Sequence, residues 1–189
     1  MAVEVAAARR LFTREEYHRM GEVGILTHSD RVELIRGEII KMSPQGLRHR
    51  AFIDNLTRLL ATRLGDRAIV SIQMPIVLAE DTEPEPDVQI LRRRPVPYKQ
   101  REVRAEDAFL LIEVAESSLA YDRSTKLRLY AAAGIPEYWV VDCAAESIEV
   151  HRTPHADGYR EVVRVVEPTA TVGLQAFPDV VLRLAEIFA

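Results

Sequence analysis

Two carboxylates stand at positions of the sequence where buried strands are expected. Glu113 lies inside the apolar run FLLIEVA at residues 109–115, and Asp87 follows Pro86 at the start of a second short apolar run, residues 87–91. An isolated carboxylate in a buried strand costs several kcal/mol, so it must be paired, protonated or bound to a metal. For Glu113 taken alone, a structural salt bridge is the alternative to a metal site.

The two acids together indicate a possible site for a hard cation. If the two runs are neighbouring strands of one sheet, Asp87 and Glu113 can converge on one ion. Magnesium accepts one or two protein carboxylates and completes its octahedron with water and substrate phosphate. Such a metal polarises a phosphoryl oxygen and lowers the pKa of an attacking water. The sequence therefore predicts a Mg²⁺ or Mn²⁺ site on Asp87 and Glu113, with the carbonyl oxygen of Val114 as a further ligand. Chance placement of two acids in a large sheet is the alternative.

The elements that must position these residues alternate between strands and helices. Apolar residues at period two predict the strands, and a hairpin with its turn at Arg36-Gly37 precedes the first long helix. Apolar residues at the helical period predict the helices. The predicted segments are a short helix at 13–20, the hairpin at 31–42, a helix that starts at Ser43-Pro44 and ends at Gly65, strands at 68–78, 87–91, 109–115, 137–142, 147–151 and 159–166, and helices at 122–133 and 180–188.

This order of elements predicts an α/β fold with a mixed central β-sheet flanked by helices. A length of 189 residues suits one compact domain and its core. We therefore expect a single domain over residues 1–189, with an N-terminal helical extension in residues 1–25.

Several segments carry a resemblance to a known group of nucleases. Pro86-Asp87 followed by Glu113-Val114-Ala115 resembles the PD-(D/E)XK nuclease motif without its terminal lysine. The wider pattern is similar to that of a restriction-endonuclease-like family of small bacterial proteins abundant in cyanobacteria. The resemblance implies the restriction-endonuclease-like fold and DNA cleavage that leaves a 5′-phosphate end. The matching segments are ELIRGE (33–38), SP (43–44) with His49, PDV (86–88), IEV (112–114), Asp122 with Lys126 and Tyr130, and GIPEYWVVD (134–142).

The departure from the nuclease motif is at Ala115. Alternation places residues 113 and 115 on one face, so a lysine at 115 would have pointed into the site. The resemblance implies that the lysine has migrated to the following helix, where Lys126 is the candidate. A lysine there can orient the attacking water and stabilise charge on the phosphate. The alternative is an Asp122–Lys126 pair at i,i+4 on a surface helix, which contributes only tenths of a kcal/mol.

Two further residues are candidates for supporting roles. The resemblance implies an acid near the first helix and makes Glu33 that residue, although Val32 and Leu34 would face the core and leave Glu33 solvent-facing. His49 lies early on the first long helix, where it would contact phosphate or a metal-bound water. The alternative for His49 is a partly buried histidine satisfied by a hydrogen bond. Tyr130, one turn beyond Lys126, is expected to pack beside the site, with a hydrogen bond there as the alternative.

Composition and charge restrict the class of protein. A formal net charge of −4 disfavours a protein that coats DNA nonspecifically, but it allows a local basic surface. One local basic cluster is evident. It is either a solvated loop or a strip that contacts backbone phosphates. Its members are Arg92, Arg93, Arg94, Lys99, Arg101 and Arg104.

Compartment signals are few. The sequence has no run of about 18 apolar residues and no signal-peptide pattern, so we expect a cytoplasmic protein without membrane association. A single Cys143 excludes an internal disulfide and a multi-cysteine zinc site. Cys143 and Trp139 are both predicted to be packing residues, and Asp142 a turn residue at a strand end.

These observations predict a metal-dependent endonuclease acting on DNA, in which Lys126, Glu33 and His49 assist the two metal ligands. A homodimer is expected, because cutting both strands usually needs two sites. Two rivals belong to other classes. One is a DNA-binding or dimerisation module of the same fold that has lost efficient cleavage. The other is a metal-dependent hydrolase of small phosphorylated molecules.

Overall fold

The computed structural model describes residues 9–189, and its centre is a six-stranded mixed sheet. The strand order is β3-β4-β5-β6-β7-β8, with β5 and β6 parallel and every other neighbouring pair antiparallel. The predicted α/β class with a helix-flanked mixed sheet is confirmed. The elements are α1 (Arg14–Glu22), β1 (Val32–Ile35), β2 (Glu38–Lys41), α2 (Leu47–Leu64), β3 (Ile69–Ile72), β4 (Val88–Leu91), β5 (Ala108–Ala115), α3 (Leu119–Tyr121), α4 (Leu127–Ala132), β6 (Glu137–Asp142), β7 (Ser147–His155), β8 (Gly158–Val165), β9 (Thr171–Leu174), β10 (Phe177–Arg183) and α5 (Leu184–Ile187).

The two faces of the sheet carry separate apolar cores. On one face, Leu110, Ile112 and Val114 of β5 pack with the apolar side of α2 and with β9, β10 and α5. On the other face, Leu111 and Ala115 pack with α4. Because side chains alternate along a strand, Glu113 belongs to this second face. β5 thus holds both layers together and carries one acid toward α4.

The β1–β2 hairpin is separate from the main sheet and lies over one end of it. Its two-residue turn has positive φ at Arg36 (50°) and Gly37 (75°), the conformation that two-residue hairpins favour. The amide of Glu83 donates to the carbonyl of Leu34 at 2.7 Å, which ties the hairpin to the segment before β4. The predicted hairpin and its turn are therefore confirmed.

Three predicted segments differ from the structure. The first long helix begins at Leu47, with Gly46 as N-cap, and not at Ser43-Pro44. Residues 180–188 are not one helix. Val180 and Leu182 are buried at period two and belong to β10, and only the four-residue α5 follows. The strand predicted at 68–78 is limited to β3, and the chain then turns at Gln73.

The helix predicted at 122–133 is present but irregular. A five-residue π-helical segment, Asp122–Lys126, separates α3 from α4. Such segments are rare and occur frequently at functional sites. Both end residues of this segment, Asp122 and Lys126, are buried.

The N-terminal helix predicted at residues 13–20 is α1, which begins with a capping box formed by Thr13 and Glu16. Residues 1–8 of the predicted extension lie outside the described residues. Within residues 9–189, no helix combines the length and the apolar character needed to cross a membrane.

The packing of α2 makes a direct test of the fold. Leu60 is fully buried in this helix, whereas Leu47 in the same helix is 90% exposed. We expect Leu60→Ala to lower the free energy of unfolding by about 2–5 kcal/mol, because it removes buried methyl groups and leaves a cavity. The matched change Leu47→Ala should cost less than about 0.5 kcal/mol. Urea unfolding of both variants measures the difference, and equal costs would contradict the buried face assigned to α2.

Candidate active site

The pairing of β4 with β5 brings the two predicted metal ligands together. Val88 pairs with Ile112 in this antiparallel ladder, so the next residues outward, Asp87 and Glu113, face each other at the sheet end. The amide of Val114 donates to Asp87 Oδ2 at 2.9 Å. Asp87 and Glu113 are each 6% exposed. The two acids therefore meet at one place, as the sequence predicted, and the Val114 amide fixes the Asp87 carboxylate there.

Lys126 lies between two buried carboxylates. Its Nζ donates to Glu113 Oε1 at 3.2 Å and to Glu33 Oε2 at 2.6 Å. The alternative interpretation, a solvated Asp122–Lys126 surface pair, is wrong because both residues are buried and the ammonium is bound by the other two acids. The π-helical segment presents Asp122 and Lys126 together toward the interior.

The interpretation of Glu33 as solvent-facing is also wrong. Glu33 is 3% exposed, and its Oε2 accepts hydrogen bonds from Lys126 and from the amide of Glu85 at 3.3 Å. The reason is that both faces of the β1–β2 hairpin are covered. One face packs toward the core through Leu34, and the other lies over the end of the sheet, where Glu33 binds Lys126.

His49 contacts the first of the two facing acids. It is the third residue of α2 and 8% exposed, and its Nε2 lies 3.2 Å from Asp87 Oδ2. Its other ring nitrogen, Nδ1, is buried and has no hydrogen-bond partner among the described residues. A bonded, buried histidine is what the structural alternative for His49 expected.

Two further side chains bind the facing acids. The sequence placed Tyr130 beside the site and favoured packing over a hydrogen bond, but its hydroxyl donates to Glu113 Oε1 at 2.6 Å. Gln73 donates from Nε2 to Asp87 Oδ1 at 3.2 Å. Gln73 has a φ of 49°, a conformation that non-glycine residues adopt rarely and often at functional sites. No pattern in the sequence marks this turn.

The site is rich in buried negative charge. Four buried carboxylates, each no more than 6% exposed, line one cavity together with one buried lysine, Lys126. They belong to Glu33, Asp87, Glu113 and Asp122.

Burial and mutual repulsion set the protonation of these groups. Burial raises the pKa of Glu113 well above its usual range, with Lys126 opposing and Asp87 adding to the rise. Burial likewise raises the pKa of Asp122 to about 6. For Lys126 burial lowers the pKa, but Glu113 and Glu33 more than offset that effect and the net change is upward. Lys126 therefore stays protonated, and its single positive charge does not balance the four buried acids that line the cavity.

The donor set fits a sparsely ligated hard cation. The cavity has a volume of about 330 Å³, and both Asp87 and Glu113 line it. Glu113 Oε1 is taken by Lys126 and Tyr130, whereas its Oε2 has no hydrogen bond from any described residue. Within residues 9–189, no cluster of three or more His, Cys, Asp or Glu side chains is arranged to bind a metal by itself. Asp87 and Glu113 offer two facing carboxylates, which is the sparse protein ligation that Mg²⁺ accepts.

The basic cluster found in the sequence lies elsewhere. It follows Leu91, at the opposite end of β4 from Asp87, and most of its guanidinium groups are paired within the protein. Arg94 and Arg101 both bind the fully buried Asp107, each at 2.8 Å. Its arginines mainly stabilise a loop.

Cations at the cavity come from another part of the chain. Arg31 and Lys41 flank the β1–β2 hairpin and line the cavity, and neither forms an ion pair with a described residue.

The other residues considered in the sequence analysis have structural roles. Trp139 is fully buried, and its Nε1 donates to Glu137 at 3.0 Å. Cys143 is buried, which raises its pKa to about 12 and suits a packing residue. Asp142 accepts from the amides of Ala144 and Ala145 and closes the turn after β6. These predictions are confirmed.

Comparison with known proteins gives consistent results. Residues 14–185 match the model of the Uma2 family, whose description is "Putative restriction endonuclease". An uncharacterised protein of Synechocystis is 28% identical over 143 residues, which cover 73% of this chain and 78% of that protein. The crystal structure of a protein from Anabaena variabilis, titled a putative nuclease, superposes with a TM-score of 0.73 at 20% identity, covering 94% of this chain and 97% of that one. At 20% identity, the similarity to this crystal structure shows a shared fold.

The raised pKa of Asp122 predicts a pH-dependent loss of stability. In the folded protein the Asp122 carboxyl has a pKa of about 6 and keeps its proton up to that pH, whereas the unfolded chain releases it near the usual aspartate pKa of 3.8. The folded state therefore binds more protons in this window, and its stability falls as the pH rises from about 4 to 7. Asp122→Asn cannot titrate, so without metal it should gain about 1–3 kcal/mol relative to wild type between these pH values. Urea unfolding at pH 4 and pH 7 in EDTA measures this gain. A constant difference between the two proteins at both pH values would show that Asp122 is not held in a costly charged state.

Proposed function

This chain belongs to the Uma2 family, described as "Putative restriction endonuclease", and we propose that it is a metal-dependent nuclease that hydrolyses phosphodiester bonds in DNA. The observation that supports this proposal most directly is the approach of Asp87, Glu113 and Lys126 at one cavity, with Lys126 Nζ 3.2 Å from the Glu113 carboxylate. Two acids that can hold a divalent ion and a lysine beside them are groups that can support metal-assisted hydrolysis of a phosphodiester.

Asp87 and Glu113 would hold Mg²⁺ or Mn²⁺, with the backbone carbonyl of Val114 as a further ligand. A bound ion of this kind supplies Lewis acidity at a phosphoryl oxygen and makes a bound water more acidic. The Val114 amide and Gln73 orient the Asp87 carboxylate, because each donates a hydrogen bond to one of its oxygens. Such outer contacts fix the direction of a metal ligand.

Lys126 lies beside Glu113, the second of the two proposed metal ligands. The ammonium of Lys126 is held by Glu33 and Glu113 and stays charged at neutral pH, because these acids raise its pKa. It can orient the attacking water and donate to a phosphoryl oxygen as negative charge develops. Glu33 positions Lys126, Tyr130 holds Glu113 Oε1, and His49 steadies Asp87.

The products and the assembly follow from the same proposal. Hydrolysis would leave a 5′-phosphate end, as in the nucleases that the sequence resembles. Cutting both strands of a duplex would take two copies of the chain, so we propose a homodimer as the active form on duplex DNA.

Metal binding can be measured without any activity. We expect calorimetric titration of the metal-free protein with MnCl₂ to show a binding site, and Asp87→Asn and Glu113→Gln each to weaken it at least tenfold, since each removes a charged ligand. Mn²⁺ should also raise the melting temperature of the wild type, because it binds the folded state only. The control is Asp157→Asn, which removes one charge in the exposed turn between β7 and β8. A wild type that takes up no Mn²⁺ at millimolar concentration would point to the binding-module rival.

Cleavage tests the role of Lys126. We expect the wild type with MgCl₂ to cut plasmid DNA, and Lys126→Met to cut it at least 100-fold more slowly, because removal of one group that stabilises developing charge typically has that effect. Asp157→Asn should cut at the wild-type rate. Since Lys126→Met leaves two buried acids without their cation, its melting temperature must be compared, and Lys126→Arg provides a variant that keeps the charge. Unchanged cutting by folded Lys126→Met would remove this lysine from the mechanism.

A further inference from the structure

A second and larger cavity adjoins the proposed active site. It has a volume of about 990 Å³, against about 330 Å³ for the cavity that Asp87 and Glu113 line. Arg31, Met42 and Gln45 line both cavities, so the two share a wall near the ends of the β1–β2 hairpin. Cavities that bind small organic ligands commonly have volumes of about 300–1,000 Å³. The second cavity can therefore hold a part of the substrate that lies next to the reacting phosphate.

The second cavity exposes apolar side chains to solvent. Met74 is 53% exposed and Ile72 is 39% exposed, and neither belongs to the two apolar cores. Tyr17 is held in place because its hydroxyl donates to the carbonyl of Val32 at 2.9 Å. Aromatic rings and thioether groups of this kind bind the faces of other aromatic rings. The apolar side chains that line the cavity are Tyr17, Leu26, Val32, Met42, Ile72 and Met74.

The charges of the second cavity suit a nucleobase and disfavour a phosphate. Glu83 and Glu85 both line it. Glu83 is paired with Arg14 and His18, whereas the Glu85 carboxylate has no hydrogen bond and no ion pair among residues 9–189. Such a carboxylate repels a phosphate but accepts hydrogen bonds from the amino groups of bases. Arg31, at the boundary of the two cavities, provides the positive charge that a phosphate favours.

Two residues with unusual backbone conformations connect the cavities. Arg31 has a φ of 46° and Gln73 a φ of 49°, values that non-glycine residues adopt rarely. Gln73 lines the second cavity, and its Nε2 donates to Asp87 Oδ1 at 3.2 Å. Conformations of this kind are costly and cluster at active sites and ligand-binding sites. The turn at Gln73 thus joins a proposed metal ligand to the wall of the second cavity.

We infer that the second cavity binds the base of an unpaired nucleotide next to the phosphate that is cut, so that the substrate is single-stranded DNA or a duplex with unpaired nucleotides. The inference rests on the proposed function, because it names the form of DNA that the same site accepts. In a duplex each base is paired and stacked, and it must be extruded before it can enter a cavity. An unpaired strand avoids this cost and offers its base faces to apolar side chains.

Substrates that differ only in base pairing test this inference. With MgCl₂, we expect kcat/KM for a labelled 30-nucleotide single strand to exceed that for the same strand in a full duplex at least about tenfold, because only the duplex must lose pairing and stacking. A duplex with three unpaired nucleotides in the middle of the labelled strand should be cut mainly beside them. Gel electrophoresis of the products gives both the rate and the position of cleavage.

A double variant tests whether the second cavity provides this preference. Ile72→Ser with Met74→Ser removes exposed apolar surface from the cavity and should lower kcat/KM for the single strand at least about fivefold, because contacts with an aromatic base are lost. The matched control is Val162→Ser with Val163→Ser, on the edge strand β8 at the other side of the sheet, where each valine is 56% exposed. The control should cut at the wild-type rate, and both double variants should bind Mn²⁺ as the wild type does.

The outcomes separate this inference from the nuclease proposal. If the wild type cuts the single strand and the full duplex at equal rates, or if Ile72→Ser with Met74→Ser cuts the single strand as fast as the wild type, the base-binding cavity is refuted and the nuclease proposal stands. If the wild type cuts none of the three DNA forms with MgCl₂ or MnCl₂, both proposals fail. Should the double variant have a lowered melting temperature, Met74→Ser alone replaces it, since Met74 lies outside the strands and its side chain is exposed.

Discussion

The structure depends on how four buried carboxylates are held beside one ammonium. Glu33, Asp87, Glu113 and Asp122 come from four different segments, yet all reach one cavity, where Glu33 and Glu113 pair with Lys126. Buried charges that are not fully compensated cost stability. The fold tolerates this cost because two independent apolar cores, one on each face of the sheet, hold the segments in place. A cation bound in the cavity, as proposed above, would relieve the repulsion among these acids that Lys126 alone does not cancel.

The site exists only where the two layers meet. His49 comes from α2 on one face, whereas Lys126 and Tyr130 come from the helical segment on the other face. They come together at the sheet end where β4 begins and β5 stops, because Asp87 and Glu113 face each other there. Neither layer by itself holds all the groups. The geometry of the site is thus determined by the same packing that determines the fold.

The sequence predicted those features that are anomalies along the chain. A carboxylate within an apolar strand is such an anomaly, and Glu113 and Asp87 were found for that reason. Gln73 could not be found in this way, and for Tyr130 the sequence indicated a place beside the site but not its contact, since both roles depend on which atoms these residues approach in the folded protein. The sequence left the basic cluster at 92–104 open between a loop and a phosphate-binding strip, because it does not show that Asp107 neutralises part of the cluster. The cations that line the cavity, Arg31 and Lys41, are separated along the chain and form no visible cluster.

The short stretch from Glu113 to Tyr130 has a consequence for how such proteins can diversify. In one continuous segment it supplies a strand-end acid, the inward-facing π-helical turn and the buried lysine with its neighbouring tyrosine. The rest of the fold needs to offer it only an opposing acid and a covering hairpin. Recombination that exchanges this single stretch between related chains would transfer most of the reactive groups at once, and the surrounding scaffold could then drift toward new substrates.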